Sequence, residues 1–210
     1  MAEIKLTKNE LRDQQTKLAQ LEKYLPTLQL KKAMLQAEVH DVRIEISRLE
    51  GIQKEKRSRV EAFSGLLASK TTIDPLKAMK IKHISKRYEN IAGVEIPHFE
   101  GIEFEDFDYS LFETAPWIDA AVIDLRVLAE IHERIRVAYE QRQALEKELR
   151  EVSIRVNLFE KNLIPSAKNN IRRIKVFLGD QQLAAVSRAK VAKTKIEKAK
   201  ALSRIDREVG

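Results

Sequence analysis

The chain has 210 residues, with 39 Lys and Arg against 32 Asp and Glu, no Cys, six Gly and five Pro. No stretch approaches the roughly 18 uncharged apolar residues of a membrane-spanning helix, and no apolar run follows the charges near Met1. We therefore expect neither membrane insertion nor a secretory signal. Without Cys there is no disulfide framework and no thiolate metal site.

The formal charge of +7 is distributed very unevenly along the chain. Residues 1–87 carry 19 basic and 11 acidic side chains, whereas residues 88–125 carry ten acidic side chains and no Lys or Arg. Residues 126–180 carry 12 basic and eight acidic side chains, and residues 181–210 carry eight and three. A uniformly basic nucleic-acid-binding protein would not show this alternation, which instead favours contacts with different protein surfaces.

Residues 4–68 repeat apolar side chains with a seven-residue period. The two interleaved series are Ile4, Leu11, Leu18, Leu25, Lys32, Val39, Ile46, Gln53, Val60 and Leu67, and Thr7, Gln14, Leu21, Leu28, Leu35, Val42, Leu49, Lys56 and Phe63. A 3.5-residue period sustained this long predicts a coiled-coil helix, about 95 Å long. Pro26 lies inside the run and predicts either a bend or a short break.

Residues 69–116 have no heptad pattern and contain three of the five prolines. Polar and apolar side chains alternate over residues 80–85, 94–96 and 102–105, and residues 90–93 offer a turn. We predict a short β-hairpin and an acidic loop at the turning end of a helical pair. Five aromatic side chains cluster here and a sixth follows directly: Phe99, Phe104, Phe107, Tyr109, Phe112 and then Trp117. The simpler interpretation is a small core that caps the helices; the alternative is a docking patch for another protein.

Residues 117–207 return to the heptad pattern. Its two series are Ala121, Leu128, Ile135, Arg142, Leu149, Val156 and Leu163, and Asp124, Ile131, Ala138, Leu145, Val152 and Phe159. From Leu163 the apolar steps to Ala167 and Ile171 are both of four residues, a stutter that locally unwinds a supercoil, and Pro165 lies beside it. Near Gly179, which could end or loosen the helix, a strongly basic segment with few apolar residues begins.

Two long helices joined by a compact middle most simply fold back on each other. The predicted fold class is mainly α, a long antiparallel two-helix coiled coil with a hairpin-containing middle region. If the helices turn near Leu67 and Trp117, Ile4 lies opposite the region of Gln181. The second helix then extends beyond its partner from about residue 181, and this basic overhang has no partner within the chain.

The sequence carries no motif for chemistry. The six glycines are too dispersed for a phosphate-binding loop or a dinucleotide fingerprint. The four His are far apart, and the acidic residues near Glu103 lack the spacing of an EF-hand. We therefore predict a non-catalytic chain with no cofactor-binding or metal-binding residues.

Three segments resemble a known family, the D-subunit family of V-type ATPases. Residues 153–165 (SIRVNLFEKNLIP) resemble its R-R-V-N-A-L-E…I-P segment, in which Arg155, Val156, Asn157 and Pro165 match. Residues 90–97 (NIAGVEIP) resemble its G-V-x-[IV]-P element, and residues 6–11 (LTKNEL) resemble the start of its first helix. The resemblance runs through essentially the whole chain in order.

The resemblance implies a central-stalk rotor shaft. Such a shaft transmits torque between a catalytic head, which hydrolyses or synthesises ATP, and a membrane ring that transports ions. The implied partners are the catalytic and non-catalytic head subunits, a small companion rotor subunit and a ring adaptor subunit, at the cytoplasmic face of a membrane. Neither nucleic acid nor direct membrane insertion is implied.

On this basis we expect two contact regions. Arg188, Lys190, Lys193 and Lys195 are predicted to face acidic surface inside the head. The predicted contacts with the companion subunit or ring adaptor are Ile84, Val94, Ile96, Glu103, Glu105 and Asp106. The alternatives are a stand-alone coiled-coil adaptor or chaperone that homodimerises, and a nucleic-acid-binding arm whose affinity falls steeply with salt.

Overall fold

A computed structural model of the protein describes residues 4–62, 65, 75–109 and 114–208, with backbone only for Pro75 and for residues 199–208. The elements in chain order are helix α1 (Lys8–Ala62), a 3₁₀ turn (Pro75–Met79), strands β1 (Ile81–Ile91) and β2 (Val94–Phe104), helix α2 (Trp117–Leu158), a π-helical turn (Phe159–Leu163) and helix α3 (Ile164–Glu208). The protein is thus mainly helical, with long helices packed together and a two-stranded antiparallel hairpin between them in the chain. This confirms the predicted fold class.

Part of the expected pattern lies outside the described residues. Phe63 and Leu67, the last members of the first heptad series, belong to that part, as does Phe112. The division at residues 68 and 69 also falls there, so the three-part organisation stays a prediction. Among the described residues, no helix is long and apolar enough to cross a bilayer.

Helix α1 buries the side of the helix that the heptads indicate. Its first turn is capped by Thr7, whose Oγ1 accepts a hydrogen bond from the Glu10 N–H at 3.3 Å. The buried side chains of the helix all belong to the two heptad series: Leu21, Leu35, Val39, Ile46 and Leu49. The helix continues through Pro26 without a break, so the heptad packing outweighs the lost backbone hydrogen bond.

The chain forms two compact units. The first contains Met1–Leu28 and Arg155–Gly210, and the second contains Gln29–Ile154. In the first unit α1 and α3 run antiparallel: Lys168 Nζ lies 2.9 Å from Glu22 Oε1, and Asn170 donates a hydrogen bond to Gln14 at 3.5 Å. These contacts agree with the predicted pairing of Ile4 with the region of Gln181.

In the second unit α1 and α2 also run antiparallel. Lys31 Nζ lies 2.6 Å from Glu148 Oε1 near one end, and Gln53 Nε2 lies 3.3 Å from His132 Nδ1 near the other. Next to the Gln53–His132 contact, a core cluster contains Leu49, Ile131 and Ile135. Apolar burial between the helices therefore supplies most of the driving force for this packing, and the ion pairs lie at its margins.

The hairpin lies along α2 and does not cap the end of the helices. Phe104 contacts Arg126, Phe99 contacts Arg134 and His98 contacts Gln141. Strand β2 therefore runs antiparallel to α2, along its length. The strands are 11 residues each, longer than the short hairpin that we expected. A hairpin of this length reaches about 35 Å and buries more surface along a helix than it could at its end.

The aromatic residues near the base of the hairpin do form a small core, as the simpler interpretation predicted. Phe107, Tyr109 and Trp117 pack against a buried cluster that contains Ala78, Ile118 and Val122. Phe99 and Phe104 differ from them, because they stack on arginines of α2.

Candidate protein-interaction surfaces

The end of the hairpin is a two-residue turn formed by Ala92 and Gly93, with φ values of 52° and 82°. Two successive left-handed residues match the right-handed twist of a hairpin, and Gly adopts this conformation without strain. Asn90 Oδ1 accepts a hydrogen bond from the Gly93 N–H at 2.9 Å and closes the turn. The sequence predicted the position of this turn correctly.

Long polar side chains make several of the contacts between the hairpin and α2. The guanidinium of Arg134 lies 5.2 Å from the centre of the Phe99 ring, and that of Arg126 lies 5.3 Å from the Phe104 ring. Lys86 of β1 forms an ion pair with Glu140. Ile96 is the large apolar anchor, because only 1% of it is exposed.

The arginines under the hairpin were not predicted from the sequence. Their signal was indirect: residues 88–125 contain aromatic side chains but no Lys or Arg, so any cation stacked on those rings has to come from another element. Arg126 also donates hydrogen bonds to the backbone oxygens of Ala78 (3.2 Å) and Glu105 (3.4 Å). It thus ties the chain just before β1 and just after β2, at the base of the hairpin, to α2.

The structure places the six predicted companion contacts in different surroundings. Ile84 and Val94 are half-buried in the hairpin, and Ile96 is buried inside the second unit, so Ile96 offers no free surface. Glu103 and Asp106 are exposed. Glu105 is also exposed, but its carboxylate lies 3.6 Å from Lys80 Nζ and its backbone is bonded to Lys80 and Arg126.

An acidic patch therefore remains at the base of the hairpin. Its exposed members are Glu103, Asp106 and Asp108, and Tyr109 adjoins them. The Tyr109 hydroxyl donates a hydrogen bond to Asp119 at 2.7 Å, and this bond, together with burial, raises the pKa of Tyr109. In the part of the chain that the structure describes, no three His, Asp or Glu side chains come together as a metal site needs.

The basic overhang is exposed over its described side chains. Every residue from 181 to 198 is exposed, including Arg188, Lys190, Lys193 and Lys195. Lys193 lies 4.0 Å from Glu197, an exposed pair one turn apart that adds little stability. Gly179 neither ends nor interrupts the helix, which continues to Glu208.

Its apolar residues are also exposed and point in different directions. Leu183, Val186, Val191 and Ile196 are between 54% and 69% exposed. Successive residues of a helix turn by about 100°, so steps of three, five and five residues distribute these four around the helix. A helix that docks one face into a groove would instead show a single stripe.

The four residues that carry the strongest resemblance lie around the π-helical turn. Val156 is buried, with 2% exposed, and faces the packing of the first unit. Arg155, Asn157 and Pro165 are exposed. Of these four residues, Val156 therefore contributes to core packing, and the other three lie at the surface.

Comparison with known proteins agrees with this architecture. The family model for the D subunit of ATP synthase matches residues 10–194. The chain is 42% identical over 200 residues to the V-type ATP synthase D subunit of Chlamydia abortus, a match that covers 95% of this chain and 96% of that protein. It is 40% identical over 200 residues to the protein of the same name from Borreliella burgdorferi, covering 94% and 97% of the two chains. The chain therefore belongs to the V-type ATP synthase D-subunit family.

Proposed function

We propose that this protein is the central-stalk rotor of a V-type ATP synthase, a non-catalytic part that transmits torque between the catalytic head and the ion-translocating membrane ring. In this role the overhang sits inside the head and the hairpin region lies nearer the membrane, at its cytoplasmic face. The observation that carries the proposal is the exposed overhang, a helix that leaves its partner helix and buries nothing of its own from residue 181 to residue 198.

The overhang is not built to pair with another copy of itself. The buried positions of α3 include Ile174, and counting on in heptads places Gln181, Arg188 and Lys195 at the equivalent positions. Like charges at the centre of a coiled coil repel each other and are costly to bury. The homodimeric adaptor is therefore disfavoured.

The distribution of side chains favours a partner that surrounds the helix. Arg188 and Lys195 point to one side, while Lys190 and Lys193 point to roughly the opposite side, because of the 100° turn per residue. Of the exposed apolar residues, Val191 and Ile196 lie between these directions, whereas Leu183 and Val186 lie on the side of Lys190 and Lys193. A bore lined by acidic and apolar groups from several subunits would satisfy all of them, and electrostatic attraction would guide entry.

Charge reversal at the overhang tests this proposal. Replacing Arg188, Lys190, Lys193 and Lys195 with Glu in the assembled complex should uncouple ATP hydrolysis from ion pumping or prevent the head from binding. The matched control reverses four exposed basic residues of the first unit that lie outside the overhang: Lys17, Lys23, Arg172 and Arg173. The proposal fails if the overhang variant stays as coupled as the control.

The acidic patch is our proposed contact for the companion subunit or ring adaptor. Glu103 and Asp106 are exposed, and Glu103 pairs across the hairpin with His83, the neighbour of half-buried Ile84. Exposed carboxylates near a partly apolar strand suit a basic partner. Glu103→Lys combined with Asp106→Lys should reduce capture of the companion subunit by at least tenfold. Reversal of exposed Asp13 and Asp41 is the control. Undiminished capture by the patch variant would remove this patch from the contact.

A further inference from the structure

The buried face of the first unit changes its phase near the π-helical turn. Val156 is buried, and counting on in sevens predicts burial at Leu163 and Phe177, yet Leu163 is half-buried and 38% of Phe177 is exposed. The residues actually buried are Ile164, Ala167 and Ile174, with 9%, 4% and 0% exposed. After the turn, the buried positions therefore come one residue later than the heptads predict.

The turn Phe159–Leu163 accounts for this extra residue. The Ile164 N–H donates to the Phe159 carbonyl five residues earlier, whereas a regular α-helix bonds four residues back. A π-helical turn of this kind accommodates one additional residue without breaking the helix. None of its five residues is buried, so the widened backbone disturbs no core packing.

Pro165 favours the π-helical form of this turn over an α-helical one. In a regular α-helix the ring of Pro165 would clash with the carbonyl of Lys161, four residues earlier. Proline also has no N–H, so it cannot take part in the hydrogen bond that would close the α-helical turn. Pro165 is exposed, and its ring therefore contributes little to packing.

We propose that Phe159–Leu163 is a one-residue insertion that sets the rotational phase of α3 against α1. A regular helix continuing from Val156 would turn α3 by about 100° and move Ile174 away from α1. The overhang belongs to the same helix, so the insertion also sets the direction in which Arg188 and Lys195 point. This role does not depend on what the overhang binds.

Two single-residue deletions test the proposal. Asn162 lies in the π-helical turn and Asn169 lies one heptad later, and both are exposed. Because a proline inside a regular α-helix costs about 3 kcal/mol, both deletions are made in the Pro165→Ala variant, which is the reference. Deletion of Asn162 removes the insertion and leaves Ile164, Ala167 and Ile174 in phase. Deletion of Asn169 shifts Ile171 and Ile174 by about 100°.

The expected result is a clear separation of the two variants. Deletion of Asn162 should leave the melting temperature of the full chain equal to or above that of the reference, whereas deletion of Asn169 should lower it by about 5 °C or more. Hydrogen exchange of amides 159–165 should slow when Asn162 is deleted, because a continuous α-helix replaces the exposed turn. Equal losses in the two deletions, or unchanged exchange at the turn, would overturn the proposal.

Discussion

A partly exposed tyrosine links α1 and α2 in the second unit. The Tyr139 hydroxyl donates a hydrogen bond to Glu50 Oε1 at 2.6 Å, and the Arg142 guanidinium lies 4.7 Å from the Tyr139 ring. The hydrogen bond to Glu50, then burial and the negative charge of Glu50, raise the pKa of Tyr139, while Arg142 opposes them. The folded protein thus favours the neutral phenol.

This raised pKa predicts a loss of stability at high pH. A group whose pKa is higher in the folded state contributes stability below its ordinary value of about 10, and this contribution disappears as the pH rises through the folded-state pKa. Tyr139→Phe should therefore lose less stability than the wild type above about pH 10. Urea unfolding midpoints measured from pH 8 to pH 11 test this. If the unfolding midpoints of the two proteins changed with pH in parallel, ionisation of Tyr139 would not be linked to folding.

At the scale of elements, α2 differs from α1 because it is buried on two sides. Ile131, Ile135 and Leu145 occupy heptad positions toward α1. Val137 and Gln141, 1% and 9% exposed, lie off those positions, and Gln141 contacts the hairpin. The hairpin therefore covers a second face of α2, which explains why a helix with a coiled-coil sequence carries buried residues outside its heptads.

Burial in α2 predicts the cost of shortening its side chains. Leu145 is 0% exposed and Ile154, nine residues later in the same helix, is 61% exposed. Leu145→Ala should destabilise the protein by about 2–5 kcal/mol, the usual cost of a cavity in a packed core. Ile154→Ala should change the unfolding free energy by less than about 0.5 kcal/mol. Chemical denaturation measures both, and similar costs would contradict the burial assigned to Leu145.

Sequence periodicity predicted the helices far better than it predicted the position of the hairpin. A heptad records which side of a helix meets its partner, so Leu35, Val39 and Ile46 could be assigned to the interface from the sequence. The hairpin is held to α2 by contacts such as Phe99 with Arg134, which no local pattern encodes. For this reason the sequence placed the hairpin at the turning end and the structure places it along α2.

At the scale of the whole molecule, stability and assembly are expected to reside in different parts of the chain. The described side chains of the overhang bury nothing within the chain, whereas Ile174, only two turns earlier, is completely buried. Removal of the overhang should therefore leave folding intact and abolish the proposed contact with the head.

Two truncations separate these effects. A chain ending at Asp180 should unfold at the same denaturant concentration as the full chain, yet fail to co-purify with the head subunits. A chain ending at Lys168 loses Ile171 and Ile174 and should be clearly less stable, because it gives up buried apolar area. If the chain ending at Asp180 still assembled with the head at full strength, the overhang would not be the head contact.

The sequence alone determined the long helices, their antiparallel pairing, the bare basic overhang and the family, because heptads, charge runs and short motifs are local patterns. Only the tertiary structure decided where the hairpin lies, that Ile96 is buried and that a π-helical turn absorbs the irregular spacing near Pro165. The sequence showed that spacing as a stutter, but whether a helix unwinds gradually or inserts one residue depends on the packing of Ile164 and Ile174 against α1. The same holds for charge. The uneven distribution of charged residues along the chain can be counted from the sequence, whereas ion pairs such as Lys86 with Glu140 depend on the fold.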